Sequence, residues 1–167
     1  MQKKQTHLLY GFLTGLAIAI VAVTLYVLGL NFEPWAQWVS YIPFIAGLIL
    51  NAQKYAQEND HYVTFGKVFS SCFKAAAITT LVVLAWSMIS ISIFPEMKEK
   101  GMEIARQSME EKGLADEQIE QAIEMTKKYF VPFMMGGIVF GYMFFGALFS
   151  LVAAAIPKKK GEANPIV

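Results

Sequence analysis

The sequence predicts an all-α fold: a four-helix transmembrane bundle with an extracytoplasmic helical hairpin between helices 3 and 4. Three observations predict it. Hydrophobic residues make up 56% of the 167 positions and charged residues only 16%, against about 25% charged in soluble domains. The charges gather at the ends of long apolar runs, whose lengths suit a hydrocarbon layer about 30 Å thick. The one sizeable polar segment, 96–128, keeps a helical period.

The first span covers about 8–30, where Leu8 to Leu30 carries no charge. It is longer than the roughly 7–15 residues of a signal-peptide core. Asn31, Phe32, Glu33 and Pro34 follow it instead of a small-residue cleavage site, so it reads as a retained anchor. The second span covers about 35–52, with Trp35 and Trp38 at one end and Tyr55 beyond the other, as in an aromatic belt. Pro43 is expected to kink it. A third helix starts near Phe65 and crosses at about 68–94, with Lys67 and Lys74 on one face and Pro95 ending the run. The fourth span, about 132–156, opens at Pro132, a favourable first helical position. Pro157 and Lys158-Lys159-Lys160 stop it.

Within the hairpin at 96–128, Met102, Ala105 and Met109 follow one another at helical spacing, and Gly113 is the expected stop. Asp116 is the expected N-cap of the second hairpin helix, with Ile119, Ile123 and Thr126 along one face. Glu117, Glu120 and Glu124 lie in its early turns, where the helix dipole favours them. Four crossings put both chain ends and the second connection on one side, with eight basic residues there against six in the hairpin. Because only Lys and Arg count in the positive-inside rule, both termini are expected in the cytoplasm.

Four stretches carry a family likeness. They are Gly11 to Gly15, Val63-Thr64-Phe65-Gly66-Lys67, Asp116-Glu117-Gln118-Ile119-Glu120, and Ser150-Leu151-Val152-Ala153-Ala154 running into the terminal lysines. On these the chain resembles the bacterial membrane family called domain of unknown function 4199, found chiefly in Bacteroidota. The resemblance extends over nearly the whole chain. It implies a multi-pass protein of the bacterial inner (cytoplasmic) membrane, and it supplies no catalytic or binding residues.

Several classes of chemistry find no support. Cys72 is the only cysteine, so neither an internal disulfide nor a cysteine metal cluster is expected. A net charge of +1 without a basic stripe argues against nucleic acid as a partner. There is no phosphate loop, nucleophile elbow or HExxH, so no enzyme activity and no cofactor are expected. His61, Asp60, Glu58 and His7 gather near one interface, yet no two stand at a ligand spacing, so no metal is expected. No ionisable residue lies near a bilayer centre, which argues against a proton-coupled transporter.

The remaining candidates concern contacts. Thr80, Ser87 and Ser90 either line a polar cleft or bond to their own helix backbone. Gly11 with Gly15, Gly137 with Gly141, and Gly146 with Ser150 are small-residue pairs that allow close helix approach, within one chain or between copies. Asn51 and Gln53 are expected to cap or solvate the end of span two. The hairpin's methionines, Met102 and Met109 above all, form with Ile119 and Ile123 either a partner surface or the hairpin's internal packing. The reading is a non-enzymatic accessory, scaffold or assembly subunit, with membrane lipids and a homo-oligomer or larger membrane complex as partners. The alternative is a small transporter or channel for an uncharged or lipidic solute.

Overall fold

A computed structural model describes residues 5–161. Among the described residues the regular elements are all helical: α1 (Thr6–Val27), α2 (Ala36–Val39), α3 (Tyr41–Glu58), α4 (Phe65–Ile93), α5 (Pro95–Glu111) and α6 (Asp116–Ala155). The chain forms two compact units. One comprises the chain up to Val83 and from Val139 onward, and the other is Leu84–Ile138.

Among the described residues three helices, α1, α4 and α6, are long and apolar enough to cross a membrane. The second predicted span is not among them. The second predicted span divides into α2 and α3, and the latter half of α3 carries Asn51, Gln53, Lys54, Gln57 and Glu58, so it falls short. Pro43 is the third residue of α3, where its missing N–H costs little. It cannot donate to the Val39 carbonyl four residues back, and the chain breaks between α2 and α3 at that place. The expected mid-span kink is therefore a helix start.

The fourth span needs a larger correction. Pro132 does not open it; this residue lies inside α6, which runs unbroken for 40 residues. Pro132 removes one backbone donor and frees the Lys128 carbonyl, a loss that helices of membrane proteins tolerate when water or a neighbour satisfies the group. The second hairpin helix and the last span are thus one element. Asp116 is its first residue rather than its cap; the Ala115 carbonyl accepts from Gln118 and Ile119 at 2.9 and 3.0 Å.

Three helices end in the same way. Gly113 lies at φ +74° after α5, as expected for a stop. Its N–H donates to Glu110 and that of Leu114 to Met109, at 2.9 and 3.2 Å, a Schellman motif. Gly29 at φ +70° closes α1 likewise, so the last residues of the first predicted span form a cap. After α3 the left-handed place falls to Asp60 and His61, at φ 52° and 65°.

The first unit is built inside out. Along α1 the buried positions are Thr6, Gly11, Thr14, Gly15, Ile18 and Ala19, while Leu9, Phe12, Leu13 and Ile20 are exposed. Along α6 Gly146, Ser150, Ala153 and Ala154 are buried and Phe140, Phe144, Leu148 and Val152 exposed. Water would drive the large apolar side chains inward. Where the surroundings are hydrocarbon, helices associate through small residues that let their backbones approach. Together with the three long apolar helices, this is what a membrane protein presents.

Candidate functional site

Two features offer themselves as sites: the small-residue seams of the first unit and the groove of the second. In the seams, a Cβ at Gly11 would sit 2.6 Å from the Ala75 carbonyl oxygen, and one at Gly15 would sit 2.5 Å from the Val82 Cβ. Both glycines therefore bring α1 against α4 within one chain. Thr79 fixes this contact by donating to the Gly11 carbonyl at 3.0 Å. Gly146 does the same for α6, where a Cβ would lie 2.8 Å from Ala76 and 3.3 Å from Phe44. The other predicted pair behaves differently. Among the described residues, a Cβ at Gly141 would meet only the Tyr41 hydroxyl, at 4.0 Å, and one at Gly137 would meet nothing within 4 Å.

Gly47 escaped the sequence reading, although a Cβ there would collide with Thr14. Its signal was available: Phe44, Gly47, Leu48 and Asn51 follow the helical spacing of one buried face. Asn51 also needs correction. It neither caps α3 nor meets solvent but is 0% exposed, donating to Ser71 Oγ at 3.2 Å and to Cys72 Sγ at 3.4 Å. The Cys72 thiol in turn reaches the Leu48 carbonyl at 3.5 Å, so the lone cysteine belongs to a buried polar layer.

The cleft hydroxyls are engaged along their own helix. Thr80, 3% exposed, donates to the Ala76 carbonyl at 2.9 Å, and Ser90 donates to that of Ser87 at 3.0 Å. Ser87 itself is half-buried. Farther along α3 and α6, Tyr41, Phe44, Tyr142, Phe145 and Phe149 form an aromatic cluster with ring centroids 4.8 to 6.0 Å apart between the closest pairs. Sequence spacing along each helix predicted neither cluster nor partner.

One end of this unit gathers chain segments far apart in sequence. Thr6 at the start of α1 donates to Glu58 at the end of α3. His61, in the turn after α3, bonds through Nδ1 to the Lys158 carbonyl at 3.0 Å, and its own carbonyl accepts from the Lys160 N–H at 2.8 Å. His61 thereby serves as a fastening point for the segment after α6. No group of three or more metal-ligating side chains occurs among the described residues.

In the second unit, α5 and the first turns of α6 enclose an open groove of about 580 Å³. Glu99, Met102, Glu103 and Arg106 line it from α5, and Glu120, Ile123, Glu124 and Lys127 from α6. Arg106 links the helices through Glu120 at 3.9 Å and also faces Glu110 at 4.0 Å. Of the four residues predicted as a partner surface, Met102 and Ile123 line this groove, and Met109 is half-buried. Ile119, 1% exposed, is packed away instead.

No curated protein and no solved structure matches the chain at a significant level. A family model described as a protein of unknown function, DUF4199, matches residues 9–159. That match takes in both units, from the first turn of α1 to the lysines after α6, and the chain is a member of the DUF4199 family.

Proposed function

We propose that this protein is a non-enzymatic accessory or assembly subunit of the bacterial inner membrane, acting through helix and hairpin contacts with a partner. The observation that carries the reading is the α5–α6 groove, where Met102 and Ile123 lie among the charged side chains of Glu99, Glu103, Arg106, Glu120, Glu124 and Lys127. A flexible methionine in such a groove suits the accommodation of a protein side chain. The exposed Gly137, with nothing within 4 Å, adds a second place where a helix has room to approach. Both termini are assigned to the cytoplasm, with α3 as the fourth crossing. The Thr6–Glu58 and His61–Lys158 bonds support a shared side for the start of α1, the end of α3 and the end of α6, which they join; the choice of the cytoplasm rests on the basic residues.

The alternative, a pathway for an uncharged solute, draws less support. The hydroxyls of Thr80 and Ser90 are occupied by carbonyls of their own helix. The test is affinity capture of the full chain from native membranes after mild crosslinking. A stoichiometric partner or discrete oligomer is expected, lost in a Met102→Glu, Ile123→Glu variant that still folds. A chain that stays monomeric and captures nothing reproducibly would end the proposal.

A further inference from the structure

Among the described residues two buried side-chain atoms have no hydrogen-bond partner, Asn51 Oδ1 in the polar layer of α3 and α4 and Ser150 Oγ on α6. Both residues are 0% exposed. Turning the Asn51 amide around would only exchange an unpaired oxygen for an unpaired nitrogen, because Ser71 and Cys72 occupy whichever end faces them.

Helix register puts the two residues within one helical turn of each other. On α4 and α6, Thr80 faces the Met143 sulfur at 3.8 Å, and Ala76 faces Gly146 one turn on. The next turn brings Cys72 level with Ser150. On α3, Phe44 lies beside Gly146, so Leu48 falls at the Ser150 level, and its carbonyl is the one that Cys72 reaches. Asn51 is less than one turn farther along the same face. Three helices therefore contribute hydrogen-bonding groups within about one turn of one another.

An unpaired polar atom buried away from water is costly, and a helix bundle surrounded by hydrocarbon has no bulk solvent to relieve it. A buried water with several polar partners is the usual remedy. We propose that Asn51 Oδ1 and Ser150 Oγ bind a water molecule between α3, α4 and α6, and that this hydrated layer fastens α6 to the other two helices. Water donates to Asn51 Oδ1, and Ser150 Oγ supplies the second hydrogen bond. Asn51 stands seven residues before the end of α3, about 10 Å along the helix, so the site is reached from the end that carries His61 and Lys158.

Cys72 is the chain's single cysteine, and its S–H infrared stretch therefore reports on this layer alone. In the full chain in detergent, transfer to D2O should convert S–H to S–D faster than the neighbouring α4 amides exchange. In Ser150→Ala the conversion should slow by about tenfold or more, as one anchor of the water is lost. The same variant should unfold at a lower temperature. A thiol that exchanges no faster than the α4 amides would overturn the proposal. So would a Ser150→Ala midpoint equal to or above that of the native chain, since deleting a dry, unpaired hydroxyl does not destabilise. Asn51→Leu provides an independent exchange measurement, and the native-chain result stands even if that variant does not fold.

Discussion

The Thr79 hydroxyl reaches from α4 to the carbonyl oxygen of Gly11 on α1, 3.0 Å away, at a crossing where a glycine leaves no side chain between the helices. The same hydroxyl lies 3.0 Å from the Ala75 carbonyl of its own helix, so the bond is shared between two acceptors. Interhelical hydrogen bonds in membranes average about 0.6 kcal/mol. Thr79→Val should therefore cost about 0.6 kcal/mol. Gly11→Leu should be far more damaging, because even its Cβ meets the Ala75 carbonyl at 2.6 Å. Reversible unfolding in mixed detergent micelles measures both.

The two ends of the α6 glycine series should respond in opposite ways. Gly146 faces Ala76 at a hypothetical Cβ distance of 2.8 Å, whereas Gly137 has nothing within 4 Å. Gly146→Leu should unfold the first unit or displace α6, with a cost of at least about 1–3 kcal/mol for overpacking. Gly137→Leu should leave the chain's own stability within about 0.5 kcal/mol and weaken any oligomer or complex that uses this face. Thermal midpoints together with crosslinking yields separate the two effects.

Gly113 supports the hairpin through its backbone conformation. At φ +74° with no neighbour within 4 Å, a side chain there meets open space but pays the left-handed penalty of about 1–2 kcal/mol. Gly113→Val should accordingly raise amide exchange across the ends of α5 and α6. Gly113→Asn should restore most of the protection, because asparagine tolerates this conformation. By contrast Arg106→Ala should cost less than about 1 kcal/mol, since its ion pairs with Glu110 and Glu120 are half-exposed.

Labelling from the two sides of the membrane checks the proposed sidedness. The native thiol is buried, so Lys112→Cys and Lys54→Cys can be probed against a low background. A membrane-impermeant maleimide should modify residue 112 in intact spheroplasts, and residue 54 only after permeabilisation. The reverse pattern would invert the orientation.

Much of this organisation can be read from the chain because its physics is local. The length and apolarity of α1, the start of α4 at Phe65 and the stop at Gly113 all follow from composition or from one residue's backbone preference. Pro132 shows the limit. Proline suits a helix start, yet whether a helix continues through it depends on what satisfies the freed carbonyl, which neighbours in sequence do not reveal. The same limit applies to α3. Its polar second half looks like a solvated end, but the buried face places Asn51 among Ser71 and Cys72, residues from another helix. Gly11, Gly15 and Gly146 were legible as small residues, but which glycines are enclosed and which remain open is a property of the assembled unit.

The enclosure of Gly146 has a consequence for biogenesis. Its neighbours Phe44 and Ala76 leave the ribosome well before it does, the later of them separated from it by the rest of α4, all of α5 and the first three quarters of α6. At roughly 5–20 residues per second, the receiving face made by α3 and α4 waits several seconds for its last occupant. During that interval the nascent chain presents a half-built surface to lipid or to the insertion machinery, and translation speed through α5 sets how long that vulnerable window stays open.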